Sequence, residues 1–218
     1  MNKTLPRILL TGFDPFDGET VNPSWEAVRA LHGRRVGGHL VVARQLPTEF
    51  ARSLRLLRTA LRELKPALVL GVGQAGGRAQ LSLERVAINL QDARVPDNAG
   101  MQPIDEPVIA GGPAAYFSTL PLKAMLAALH DAGLPAGISH SAGTYVCNHI
   151  AYAMLHLAAK QRGMRAGFIH IPYLPAQAAR LRGEPSMAQA EVERGLLIAL
   201  RAATTTLVDD RFSGGSLD

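Results

Sequence analysis

The apolar positions of this chain follow two periods. Pro6 to Phe13 is an almost unbroken apolar run closed by a glycine turn, as expected of a buried strand. Asn22-Pro23-Ser24 then supplies an N-cap and a proline at the first helical position. His39 to Leu46 reads as a second strand. Phe50, Leu54, Leu57, Leu61 and Leu64 recur at spacings of four and three, which predicts an amphipathic helix stopped by Lys65-Pro66. Ala67 to Val72 is a parallel-type strand, and Leu81 to Leu90 reads as one extended segment rich in Val, Ile and Leu. Prolines, glycines and the Asp97-Asn98 pair punctuate residues 91 to 118, a stretch long enough to be functional or to hide short strands. Leu122, Met125, Leu126 and Leu129 form a helical stripe after Pro121, with Gly133 as its C-terminal cap. A strand (Ala136 to His140), a helix (Cys147 to Arg162) and a strand (Ala166 to Ile171) follow. Ser186-Met187-Ala188-Gln189 has the pattern of a capping box for a last helix running to about Val208. The alternation predicts an α/β chain built from βαβ units. No repeat or linker divides it, so one domain over residues 1–218 is expected, with 211–218 as a flexible tail.

Composition changes this picture little. The 218 residues carry a net charge of +5, but the arginines are dispersed over polar helix faces. No basic block interleaved with aromatics suggests nucleic-acid binding. No apolar run approaches the roughly 20 residues of a membrane span, so no membrane partner is expected. The N-terminal residues lack a signal-peptide pattern, and a single thiol fits a reducing compartment; both point to the cytoplasm.

Candidate chemistry centres on that thiol. Cys147, the one cysteine of the chain, follows a small-residue turn and opens a predicted helix. A helix N-terminus favours thiolate, although an isolated cysteine is as readily a buried packing residue. The glycine pattern Gly71 to Gly76 follows a strand and resembles a dinucleotide-binding loop. A nucleotide-binding enzyme is therefore an alternative, but the fingerprint needs a helix next, and an extended segment follows instead. On that segment Glu84 shares a face with Val86, Ile88 and Leu90. A carboxylate there needs a partner, either one of the arginines or a histidine that it orients. Of the seven histidines, His149 and His156 share the helix of Cys147 without metal-ligand spacing. His140 and His170 each end a strand, where open α/β sheets place their sites. The βαβ crossover between those two strands would make their ends neighbours, and the pattern favours His170.

Five segments carry a resemblance: GFDPFDG (12–18) with NPSW (22–25), GQAGGR (73–78) with LERVAIN (83–89), DARVPDN (92–98), SAGTYVCNH (141–149) and GFIHIPYLP (167–175). Together they resemble the cysteine-dependent pyroglutamyl-peptidases of type I, from about Ile8 to about Leu207. The resemblance implies an α/β/α sandwich with a central twisted, mostly parallel mixed sheet. It implies removal of N-terminal pyroglutamate from peptides, no metal or organic cofactor, and a homo-oligomer, dimer or tetramer. By motif position it implies a triad of Cys147, His170 and Glu84. It places Phe13, Phe16, Gln74, Tyr145 and Val146 at the substrate pocket and Arg94 at the oxyanion. Tyr145 departs from members with phenylalanine there.

Overall fold

The computed structural model describes residues 5–181 and 183–214. In chain order the elements are β1 (Arg7–Phe13), α1 (Pro23–Ala30), β2 (Arg35–Val36), β3 (His39–Leu46), α2 (Phe50–Leu64), β4 (Leu68–Gln74), β5 (Leu81–Glu84), β6 (Val86–Ile88), β7 (Ala115–Phe117), α3 (Leu122–Asp131), β8 (Ala136–Ser139), α4 (Val146–Lys160), β9 (Arg165–Ile171), α5 (Pro175–Ala178) and α6 (Gln189–Thr205). Seven strands form one mixed sheet in the order β2-β3-β1-β4-β9-β5-β8, and β6 pairs with β7 in a separate ribbon. The sheet is parallel except at β2–β3 and β5–β9.

The period of two sorts the strands' side chains onto two faces. Ile8 and Leu10 of β1, Leu70 and Val72 of β4, and Ile169 and Ile171 of β9 pack under α1, α3 and α6. Leu9 and Phe13, Val69, and Ala166 and Phe168 of the same strands pack under α2 and α4. The result is an α/β/α sandwich. His170 shares the parity of Phe168, so it faces α4. Glu84 has the opposite parity to Leu81 and Leu83, which lie in the other core, so it too faces α4.

Local chemistry explains several boundaries. Asn22 Oδ1 accepts from the Ser24 N–H at 3.0 Å and caps α1, with Pro23 as its first residue. Lys65 ends α2 at φ 44°, a left-handed turn just before Pro66. The 91–118 stretch does hide a strand, β7, besides a bridge between Gln91 and Glu106.

Several expectations fail where distant contacts decide. The extended segment Leu81 to Leu90 breaks at Arg85, because Arg85 N–H bonds Ser139 O at 2.8 Å while its carbonyl accepts from Ser118 N–H at 2.8 Å. Val86 and Ile88 therefore leave the main sheet, and Glu84 does not share its face with them. β8 and β9 are not neighbours, since β5 lies between them. Ser186 does not cap α6: it bridges Tyr173, Met187 N–H bonds Tyr173 O at 2.9 Å, and α6 starts after Ala188 without a side-chain cap. That helix ends at Thr205, short of Val208. Within the expected tail, Phe212 folds back under the Lys123 ammonium, 5.6 Å from the ring centroid; residues 215–218 lie outside the described residues.

Candidate active site

The C-terminal ends of β1, β4 and β9 meet the N-terminus of α4 on one face of the sheet. Cys147 is the second residue of α4 and is partly buried. Its sulfur lies over Gly73 of β4, the register partner of His170 on β9. A Cβ on Gly73 would fall 2.8 Å from that sulfur and 2.9 Å from Phe168 Cζ, so only glycine leaves room for the thiol. No side chain caps α4, and its first internal bond runs from His149 N–H to Tyr145 O at 3.1 Å. The amides of its first turn thus point outward unpaired by any cap, at the positive end of the helix.

His170 is 3 % exposed, whereas His140 is exposed at the end of its strand. His170 Nδ1 lies 2.7 Å from Glu84 Oε1. An ionised carboxylate only accepts, so Nδ1 carries the proton and Nε2 remains free to take one. The pairing is diagonal across the antiparallel β5–β9 ladder, where Ser82 opposes His170 and Glu84 stands two residues on. The same Oε1 accepts from Arg78 Nη1 at 2.6 Å. Glu84 therefore has both an arginine and a histidine as partners. His149 belongs to another environment. It packs edge-on against Phe50, ring centroids 5.5 Å apart, and neither ring nitrogen has a partner among the described residues. Burial pushes it down to about 4.

Burial opposes charge on Glu84, but the His170 hydrogen bond and charge, the Ser139 hydroxyl and the Arg78 cation together hold its carboxyl below the usual range. Cys147 goes the other way. Burial and then the Glu84 charge push the thiol up to about 12, with Arg78 a partial offset. Desolvation thus opposes the acidifying helix N-terminus expected for Cys147.

The predicted pocket residues separate by depth. Phe13 is buried and its ring lies 6.3 Å from Phe168; half-buried Phe16 lies 6.2 Å from Tyr145. Tyr145 also meets Phe50 edge-on at 5.5 Å and donates its hydroxyl to Pro96 O at 3.0 Å. Its polar tip is spent on the loop, and burial, then Asp97, Cys147 and Asp17, push it up to about 12. Val146 is fully buried, so only its backbone can face a ligand. Gln74 Oε1 accepts from buried Gln177 Nε2 at 3.2 Å, which leaves the Gln74 amide N–H groups available. Arg94 is exposed and makes no hydrogen bond or ion pair among the described residues.

Much of the DARVPDN segment is scaffold. Asp92 and Thr144 exchange bonds of 3.1 and 2.7 Å. Asp97 accepts from the Phe50 amide at 2.8 Å, and Asn98 Nδ2 donates to Pro15 O at 2.9 Å. These bonds fasten the segment to the α4 turn, the start of α2 and the Phe16 turn. Residues that sequence reasoning missed are Arg78, Gln177 and Asn148, whose amide bridges to Ile88 and Leu90 carbonyls at 2.9 and 3.0 Å.

The glycine loop does not open a helix. After Gly77 (φ 78°) the chain runs into β5, so no helix N-terminus is there to hold a pyrophosphate. Among the described residues no group of three or more His, Cys, Asp or Glu side chains could hold a metal ion. No helix described is long and apolar enough to cross a membrane.

An α/β/α sandwich that gathers a thiol, an imidazole and a buried carboxylate at its strand ends has the make-up of a thiol hydrolase. The chain belongs to the pyroglutamyl peptidase family, which matches it over residues 6–206. A pyrrolidone-carboxylate peptidase from Klebsiella pneumoniae (strain 342) is 57% identical over 209 residues, 96% of this chain and 98% of its own. One from Cupriavidus necator is 56% identical, with 96% and 98% covered. The crystal structure of Bacillus amyloliquefaciens pyroglutamyl peptidase I superposes with a TM-score of 0.91 at 46% identity, covering 94% of this chain and all of that one. The A199P mutant pyrrolidone carboxyl peptidase of P. furiosus gives 0.90 at 40% identity, covering 93% and 100%.

Proposed function

We propose that this chain is a thiol exopeptidase that releases an N-terminal pyroglutamyl residue from peptides through a thioester. The observation that carries this reading is the His170–Glu84 bond on the sheet face that also receives Cys147. His170 Nε2 takes the thiol proton as sulfur attacks the pyroglutamyl carbonyl. Glu84 keeps Nδ1 protonated and stabilises the imidazolium. The oxyanion forms at the open amides of the α4 first turn, the role in which Val146 serves through its backbone. Arg94 adds a cation from the strapped loop. His170 then protonates the leaving amine, and water hydrolyses the thioester. Phe13, Phe16 and Tyr145 wall a neutral lactam ring, with Gln74 as a donor to its carbonyl.

The test is release of a chromogenic amine from its pyroglutamyl conjugate beside the prolyl and glutamyl conjugates. Turnover of the pyroglutamyl compound is expected to exceed both by about 100-fold or more, because a site built around a lactam carbonyl leaves groups unpaired with the others. Equal rates on the prolyl compound would sink the substrate assignment.

The raised thiol gives a second expectation. With its pKa pushed up to about 12, Cys147 rests as thiol at neutral pH, and thiolate grows about tenfold per pH unit below that value. Alkylation of the free enzyme by iodoacetamide should therefore climb from pH 6 to pH 9 without a plateau. A plateau reached below pH 7 would show a preformed thiolate instead.

This reading places the enzyme in the cytoplasm, in line with its single thiol, and as a dimer or tetramer, in line with exposed Phe117, Leu207 and Val208. Inactivity under reducing conditions speaks against the first, and a solution mass of one chain against the second.

A further inference from the structure

We infer that Arg78 is a positioning residue of this reaction: it clamps the Glu84 carboxylate against His170 and ties that pair to the turn that presents Cys147. The inference rests on the thiol mechanism above and adds a residue to it.

The guanidinium spans two segments. Nη1 donates to Glu84 Oε1 at 2.6 Å, and Nη2 donates to Ser141 O at 3.0 Å. Ser141 belongs to the turn between β8 and α4, six residues before the thiol. Arg78 itself lies on the loop from β4 to β5. One planar group therefore fastens the β4–β5 loop, the end of β5 and the approach to α4. The flat fork of an arginine suits that double task, and the single ammonium of a lysine does not.

Ordinary surface pairing does not describe this contact. The other arginine–carboxylate pairs among the described residues, Arg29–Glu26, Arg52–Glu49 and Arg180–Glu19, hold arginine side chains 58–61 % exposed. In the Arg78 pair the arginine is 29 % exposed and the carboxylate 2 %. Glu84 Oε1 receives both Arg78 and His170, while Oε2 is buried and has no hydrogen bond among the described residues. Both cationic or polar donors thus converge on one oxygen, and loss of either frees the carboxylate to rotate.

The groups facing Glu84 are His170 from β9, the Ser139 hydroxyl from β8, Arg78 from the preceding loop and the Cys147 thiol from α4. Arg78 favours charge on the carboxylate and, at longer range, on the thiol. Its removal moves both groups in the same direction, toward holding their protons to higher pH.

The experiment compares pH profiles of kcat and kcat/KM for wild type, Arg78→Met and Arg78→Lys on a pyroglutamyl amide, with thermal melts as a folding control. Arg78→Met is expected to lower kcat about 10- to 100-fold, as loss of an orienting partner does around metal ligands, with KM nearly unchanged. Its acidic limb should move up by about one pH unit, and alkylation of Cys147 at pH 8 should slow. Arg78→Lys keeps the charge and loses the tether, so its acidic limb should stay while kcat still falls. A wild-type profile and kcat in Arg78→Met would overturn the inference. If that variant does not fold, Arg78→Lys decides, because wild-type kcat there would remove the tether. Cys147→Ala separates the two levels: activity in that variant refutes the thiol mechanism, whereas its inactivity beside a fully active Arg78→Met refutes only the role of Arg78.

Discussion

Cys147→Ala is expected to abolish turnover of a pyroglutamyl amide, lowering kcat by at least about 10,000-fold, the scale seen when a nucleophile is removed from a catalytic triad. The fold should survive. The sulfur occupies a niche over Gly73 that a smaller side chain leaves without clash, and the α4 core depends on Val146, Ile150, Ala153 and Met154 instead. The Kd of an uncleaved pyroglutamyl analogue should therefore change little. Cys147→Ser keeps the shape, but its hydroxyl is a far weaker nucleophile, so it should be nearly as inactive. Steady-state rates with active-site titration check this. Residual activity above about one per cent of wild type would mean that another group attacks.

Glu84→Gln is expected to have the next largest effect, about 100- to 10,000-fold in kcat with KM nearly constant. The amide has the size of the carboxylate but no charge. It stabilises the imidazolium less, and with its NH2 group turned toward the ring it forces the proton from Nδ1 to Nε2, the nitrogen the mechanism needs free. Because Arg78 and His170 share one Glu84 oxygen, the Arg78 guanidinium would then meet an uncharged amide whose N–H cannot accept its bond. Because Arg78 is partly exposed, water can take up that loss, and the thermal midpoint should move little. A rate within threefold of wild type would reduce Glu84 to an ordinary ion-pair partner of Arg78.

The sequence exposed most of the fold where a local pattern and the tertiary environment agree. The stripe Phe50, Leu57 and Leu61 predicts α2 because the same side chains are buried against the sheet. Asn22-Pro23 predicts the start of α1 because its cap bond is local. The misses come where distant partners decide. Nothing in the alternation of Leu81 to Leu90 marks a break at Arg85; Ser139 and Ser118, more than 30 residues away, set it. Ser186 has the right spacing for a cap, but Tyr173 holds it extended.

The site divides in the same way. Cys147 is legible as a lone thiol at a turn and His170 as a strand end, but the sequence pattern places His140 at a strand end as well. Burial makes the difference visible: His170 is sealed in the sheet and His140 is not. Arg78 could not be told from the other dispersed arginines, since its distinction is the reach to Glu84 and Ser141 across the fold. For Cys147 the helix terminus is a local feature legible in sequence, whereas the desolvation that opposes its charge is not.

The thioester is the most direct test of the whole account. Wild-type enzyme is mixed with a pyroglutamyl ester at mildly acidic pH, quenched in acid within milliseconds, digested and mapped by mass spectrometry. The account predicts a 5-oxoprolyl group on the peptide containing Cys147, accumulating before steady state and absent from Cys147→Ala. An acyl group on any other residue, or full turnover with no acylated enzyme in the same window, would contradict it.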